Sequence, residues 1–424
     1  MDGEDVIREV TSEWPLPPRL MFSSFHIEPE VPSELYITDT TFRDGQQAFN
    51  AYGVEDAREL FRLLGELDNG SGRIIRSEFF LYTERDRAIV KAVRELNLEY
   101  PRVIGWGRAR IEDVQLVKEA GLDEMVMLMS ISDIHIKYKF NSTRDRVVSK
   151  YLAVAGYALK EGIRLRCSLE DITRADIGFA LSFAEKLLRL SEKYGVEVTI
   201  KLPDTTGVGV PFPFAQLPYS IPKLVWVFRK VLGIPSDRLE FHGHGDYHMA
   251  VANAVSAWLY GAAINNATLL GIGERAGNVP IEALVIWYAR IRGSFDGMNP
   301  RVISKIADFF RGLGYEVPRY QPIVGSNAFS TAAGIHVQAQ LRNPITYLSM
   351  DPQIIGRSAS IVIGPYSGRS AIYHWLVTHG FRADEDVVNR VYNRVVELYN
   401  NGLRRPLTDE ELMRITSEVL SLNQ

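Results

Sequence analysis

From residue 35 onward one pattern recurs: a short run of apolar and β-branched residues, then a longer stretch with apolar positions at helical spacing. The pair repeats eight times. Strands are predicted at Leu35–Phe42, Arg73–Phe80, Arg102–Ala109, Glu124–Ser130, Ile163–Glu170, Glu197–Thr205, Arg238–Asp246 and Ala262–Gly273. Helices are predicted between them at Val54–Leu67, Thr83–Leu96, Ile111–Ala120, Asp145–Glu161, Asp176–Tyr194, Ile221–Leu232 and Met249–Tyr260. Eight strand-helix units over roughly 250 residues match the α/β (β/α)8 TIM barrel in number and length, with a doubly wound open sheet as the competing architecture. The polar clusters favour the barrel. Arg43-Asp44-Gly45-Gln46-Gln47 follows strand one, His242-Gly243-His244 ends strand seven and Gly271-Ile272-Gly273-Glu274-Arg275 ends strand eight. A closed barrel brings all three to its C-terminal mouth, where active sites of this fold sit.

A chain of 424 residues with 46% hydrophobic composition can bury one large domain and an appendage. Residues 1–33, rich in proline and acid and without a period, read as an arm, extended or a short helix, packed on the main body. Residues 34–295 form the predicted barrel, and residues 300–424, where the strand-helix rhythm stops, a smaller helical C-terminal subdomain. The net charge of −4 offers no positive field for a nucleic-acid backbone or an anionic membrane, so neither is an expected partner. No apolar window of about 18 residues suggests a membrane span, and the N-terminal residues do not look like a signal peptide. Cys167 is the only cysteine, which excludes an intrachain disulfide framework and a cysteine-based zinc site and points to a reducing cytoplasm.

His242 and His244 stand two apart, a spacing that sends both imidazoles to one face of a strand. Two inward histidines are half a metal site, and Asp44 is the candidate third ligand; a hydrogen-bonded pair of polar residues is the bland alternative. Imidazole accepts zinc, iron, nickel or cobalt, and added carboxylate and water ligands widen the choice to manganese or magnesium, which are the expected ions, with zinc compatible. Arg43 supplies a fixed cation beside the site, able to stabilise an enolate or polarised carbonyl, or else belongs to a structural ion pair. Gly271 and Gly273, with Glu274, lie in a segment that is not the dinucleotide fingerprint. Its glycines either admit backbone amides to a phosphate or thioester oxygen or serve close packing. Glu170 and Thr205, at the ends of strands five and six, orient a ligand or cap helices. His135, His336 and Tyr347 carry no signal of their own.

The ordered motifs Ile37-Thr38-Asp39-Thr40-Thr41-Phe42-Arg43-Asp44-Gly45-Gln46-Gln47, His242-Gly243-His244-Gly245-Asp246 and Gly271-Ile272-Gly273-Glu274-Arg275-Ala276-Gly277-Asn278 resemble the 2-isopropylmalate, homocitrate and citramalate synthase family. That family shares its barrel with 3-hydroxy-3-methylglutaryl-CoA lyase. The resemblance covers about residues 35–375. It implies condensation of acetyl-CoA with a 2-oxo acid and release of CoA, with a divalent cation on Asp44, His242 and His244 and Asn278 adjacent. It further implies that Arg43 and Gln47 contact the reacting carbonyl, that Arg108, His135, Glu170 and Thr205 hold the 2-oxo acid, and that Gly271, Gly273 and Glu274 meet acetyl-CoA. His336, in Gly334-Ile335-His336, and Tyr347 match catalytic groups of the C-terminal subdomain, often contributed across a dimer, so a homodimer is expected. His336 with Tyr347, or Glu170 through water, is the implied base.

Within the family the chain is most similar to the citrate synthases of Re-face stereospecificity, through Ser77-Glu78-Phe79-Phe80-Leu81-Tyr82, Asp171-Ile172-Thr173-Arg174-Ala175-Asp176 and Ala257-Trp258-Leu259-Tyr260-Gly261. Oxaloacetate is then the expected acceptor, and Arg76 is read as the cation for its second carboxylate or as an outward ion pair. Gly245 departs from the family's asparagine, and Pro365-Tyr366-Ser367-Gly368 from its lysine-histidine-serine-glycine. With Gln424 about where the subdomain helices should end, feedback control through a leucine-sensing C-terminal domain is not expected. Isopropylmalate, homocitrate or citramalate synthesis, a metal-dependent 3-hydroxyacyl-CoA lyase and a non-catalytic ligand-binding barrel are the alternatives; intact Arg43, Asp44, His242 and His244 argue against the last.

Overall fold

The computed structural model describes residues 17–421, so the first half of the predicted arm lies outside the described residues. Two compact units divide the chain, residues 1–299 and 300–424.

In the first unit β1 (Tyr36–Asp39), β2 (Ile74–Phe79), β3 (Arg102–Arg108), β4 (Glu124–Ser130), β5 (Arg164–Glu170), β6 (Val198–Asp204), β7 (Leu239–Gly243) and β8 (Ile264–Ala267) close into a barrel in sequence order. Every pairing is parallel, and β8 returns to β1 with Tyr36 opposite Ile264. This excludes the open sheet, which has no such closure. Around the barrel lie α1 (Val54–Asp68), α2 (Glu84–Arg94), α3 (Ile111–Glu119), α4 (Arg144–Lys160), α5 (Ile177–Tyr194), α6 (Ile221–Val231), α7 (Ala250–Leu259) and α8 (Ile281–Arg292).

Local chemistry sets these elements. The Asp176 side chain accepts from Phe179 N at 3.0 Å to start α5, and Gly195, at φ 65°, ends it in the left-handed region that glycine adopts without penalty. Between them Ala180, Phe183, Ala184, Leu187 and Ser191 recur at helical spacing and are buried. Strand eight is far shorter than predicted. After Ala267 the chain leaves the sheet through Leu270 and Gly271, both at positive φ, so the glycine motif is a loop rather than a strand end. The described part of the arm is extended: Phe22 packs on Phe214 and Phe25 on Trp226, with ring centroids 5.8 and 5.5 Å apart.

The second unit is helical apart from one parallel pair, Ser330–Thr331 with Ser360–Ile361. Its helices are α9 (Val302–Gly312), α10 (Gly334–Arg342), α11 (Arg369–Thr378), α12 (Glu385–Asn400) and α13 (Asp409–Ser421). Val337, Ile372, Trp375, Leu376, Val391 and Ile415 belong to its own apolar core.

Candidate active site

The turn after β1, the end of β7 and the loop after β8 bring Asp44, His242 and His244 together. Asp44 Oδ2 lies 3.6 Å from His242 Nε2 and 3.7 Å from His244 Nε2, and the two imidazole nitrogens are 3.1 Å apart. All three side chains are buried. His242 Nδ1 lies 2.6 Å from Asn266 Oδ1, a contact that keeps the ring proton on Nδ1 and turns the Nε2 lone pair toward His244. Burial and the neighbouring His244 and Lys201 push the His242 pKa well below its ordinary value, and burial lowers that of His244. Both rings are therefore neutral donors. Burial alone would raise the Asp44 pKa, but Arg43 at 3.3 Å, the two histidines and the Asn278 amide hold it below the usual carboxylate range. Asn278 Nδ2 donates to Asp44 Oδ2 at 2.6 Å, while its buried Oδ1, like His244 Nδ1, has no hydrogen-bond partner among the described residues. Facing lone pairs, an ionised carboxylate and an orphaned amide oxygen fit a divalent cation.

Glycines let the β8 loop close on this triad. A Cβ on Gly273 would stand 2.2 Å from Asn278 Oδ1, and one on Gly245 would stand 2.9 Å from Ala276 O. The loop contact thus gives the departure from asparagine at position 245 a steric reason. Gly271 and Gly277 also touch, since a Cβ on Gly277 would lie 2.3 Å from Gly271 O. Glu274 is exposed at the rim.

Beneath the triad the barrel interior is ionic. Arg43 stacks on Trp106 of β3, 5.2 Å from the ring centroid, and donates Nη2 to Glu78 Oε2 at 3.3 Å. Glu78, on β2, also accepts from Thr40 at 2.8 Å, Asn266 at 3.0 Å and Lys201 of β6 at 2.5 Å. Lys201 is 3.6 Å from Glu240 of β7, Glu240 binds Arg166 of β5 at 2.6 Å, and Arg166 binds Glu124 of β4 at 2.6 Å. Alternating charges therefore run through the barrel from its floor to Asp44. Period-2 counting on β2 could have found Glu78, which shares a face with Arg76 and lies one pleat nearer the mouth. Lys201 and Trp106 carried no comparable signal.

Arg76 requires a correction. Its Nε donates to Glu124 Oε2 at 2.8 Å, and it is paired in register with Arg102, the first residue of β3. Two residues of strand rise, roughly 6–7 Å, put it below Glu78 at the N-terminal end of the barrel, away from any substrate in the mouth. Arg108 does end β3, but its guanidinium is held by Asp113 through two 3.0 Å bonds and lies over Tyr82.

On the β4–β5 wall, His135 Nδ1 lies 3.3 Å from Glu170 Oε2, Lys139 Nζ donates to the same oxygen at 2.7 Å, and the Ser130 hydroxyl also bonds it. Burial works the other way, yet these contacts bring the Glu170 pKa down to about 2. Thr205 Oγ1 accepts from Asp171 N at 2.8 Å, and Gln47 is exposed on the turn after Asp44. In the second unit His336 and Tyr347 meet, their ring centroids 4.2 Å apart.

Fold and triad define a (β/α)8 enzyme built around a candidate divalent-metal site. A family model described as HMGL-like matches residues 34–309, and one described as homocitrate synthase post-HMGL domain-like matches residues 323–403. The chain belongs to the HMGL-like family. It is 40% identical over 413 residues to the citrate (Re)-synthase of Clostridium kluyveri, covering 95% of this chain and 91% of that one. It is 41% identical to the citrate (Re)-synthase of Syntrophus aciditrophicus, covering 89% of this chain and 62% of that one. The barrel resembles the crystal structure of hydroxymethylglutaryl-CoA lyase from Pseudomonas aeruginosa, with TM-score 0.55, 17% identity, and coverage of 68% of this chain and 95% of that one.

Proposed function

We propose that this protein condenses acetyl-CoA with oxaloacetate to give citrate and free CoA, using manganese or magnesium, and works as a homodimer. The chain is an acyl-CoA-dependent condensing transferase, and the observation that carries this is the buried Asp44–His242–His244 triad with Arg43 at its side in a barrel of this family. The choice of oxaloacetate rests on the two citrate (Re)-synthase relatives.

Asp44, His242 and His244 would hold a divalent cation, which would supply Lewis-acid polarisation of the 2-oxo group. Arg43, fixed by Glu78 and Trp106, places a preorganised positive charge where oxygen gains negative charge as the new bond forms. The acetyl methyl loses a proton to a base, its carbon bonds to the ketone carbon, and the ketone oxygen takes up a proton. Water then cleaves the thioester and the thiol leaves. Glu170 is a weak base at a pKa of about 2, held ionised by Lys139 and Ser130. We assign proton removal to His336, as the family resemblance implies, with the Tyr347 ring 4.2 Å away, centroid to centroid. Gly271, Gly273 and Glu274 stand at the rim for the thioester, and Gln47 and Thr205 for the acceptor acid. With Arg76 at the floor, the cation for the distal carboxylate is Lys139. It sits on the β4–β5 wall, across the barrel from β8 and β1, and is 40% exposed.

The test is thiol release from acetyl-CoA with oxaloacetate, 2-oxoglutarate, 2-oxoisovalerate or pyruvate. Oxaloacetate should give the highest kcat/KM; preference for 2-oxoisovalerate overturns the acceptor assignment, and no thiol release with any acid overturns the reaction.

A further inference from the structure

The N-terminal end of the barrel holds a cavity of about 490 Å³, within the range of small-molecule sites, lined in part by Arg73, Arg76, Arg166, Tyr36 and Tyr100. Its chemistry is set by one crowded carboxylate. Glu124 receives three guanidinium groups: Arg166 at 2.6 Å, Arg76 at 2.8 Å and Arg164 at 3.2 Å. Arg166 has a second partner in Glu240, and Arg164 one in Asp123. Arg76 has none: it shares Glu124, its Nη1 reaches only the Ile75 carbonyl at 3.3 Å, and its Nη2 has no hydrogen-bond partner among the described residues. Burial and the charges of Arg166 and Arg164 lower its pKa, the mark of a cation short of counter-charge. Arg73 adds a buried Nε with no hydrogen-bond partner among the described residues. Of the acids in the lining, Glu34 pairs with Arg73 and Glu197 faces Arg238 at 3.7 Å, while Asp237 lies near Tyr36 without a cation partner among the described residues.

We propose that this floor cavity binds a small polycarboxylate, with Arg76 as its principal cation and Arg73 as the second. Guanidinium groups present a planar fork that matches a carboxylate, and an added carboxylate would supply the charge that Glu124 divides among three arginines. The site lies at the opposite end of the barrel from the metal triad. A continuous run of ion pairs, Arg76–Glu124–Arg166–Glu240–Lys201–Glu78–Arg43, joins the two. On the reading proposed above the reaction product is itself a tricarboxylate and belongs to this ligand class; the binding test does not depend on that reading.

The experiment is calorimetric titration of metal-free protein carrying His244→Ala, which disables the mouth as a chelating site, with tricarballylate and separately with inorganic phosphate. Tricarballylate should bind at one site. Arg76→Gln should weaken it at least tenfold, and so should Ile75→Glu, which adds a carboxylate to the cavity lining and leaves every arginine in place. Absence of binding, or affinity unchanged in both floor variants, would overturn the site. Tighter binding of phosphate than of tricarballylate would overturn the ligand class.

Discussion

Glu78→Gln tests the ionic interior most directly. Glu78 is fully buried and neutralises Lys201, itself 1% exposed, at 2.5 Å while anchoring Arg43 at 3.3 Å. The amide keeps the shape and removes the charge, so Lys201 keeps only Glu240, at 3.6 Å, and Arg43 keeps only Asp44. Removing one partner of a buried ion pair costs up to about 3–5 kcal/mol, because the other charge stays desolvated with less counter-charge. In a domain of this size that lowers Tm by on the order of 10 °C. Urea unfolding followed by circular dichroism should show this loss. Adding Lys201→Met should restore more than about 1 kcal/mol, since the buried charge left with only the more distant Glu240 is then gone. Below the transition, kcat should fall while bound metal remains, because Arg43 has lost an anchor. A Glu78→Gln variant within about 1 kcal/mol of wild type, or strict additivity in the double variant, would show that the interior charges are not coupled as described.

Three further outcomes follow from the same geometry. His244→Ala should lower metal affinity at least 100-fold by calorimetry while the circular dichroism spectrum is kept; unchanged affinity removes the triad from metal binding. Lys139→Gln should cut kcat/KM for oxaloacetate more than for pyruvate, and an equal loss for both denies Lys139 a role in recognising the distal carboxylate. Glu282, in the first turn of α8, is buried, and burial raises its pKa from 4.5 to about 7. A carboxyl whose folded pKa lies above its unfolded value gives stability that is complete below the unfolded value and is lost as pH rises through the folded one. Between pH 5 and 8 wild type should therefore lose about 2.5 kcal/mol relative to Glu282→Gln, and parallel stability curves for the two would contradict this.

Much of the architecture is legible before folding. A short uninterrupted apolar run and a 3.6-residue period are local properties, and Glu124–Ser130 carries the first and Ile177–Tyr194 the second without reference to the rest of the chain. The triad is legible for a related reason: His242 and His244 share a face by spacing, and the barrel topology delivers Asp44 to the same mouth.

What only the tertiary structure decided is which charges meet, and at which depth. Lys201 and Glu78 are 123 residues apart, Asn278 and Asp44 are 234 apart, and no local period records either pair. Arg76 and Glu78 occupy one face of one strand and look interchangeable in the sequence. Strand register places Glu78 against Arg43 below the mouth and Arg76 against Glu124 at the floor. That choice belongs to the barrel as a whole, because the stagger of eight paired strands sets the height of every inward side chain relative to its neighbours across the interior.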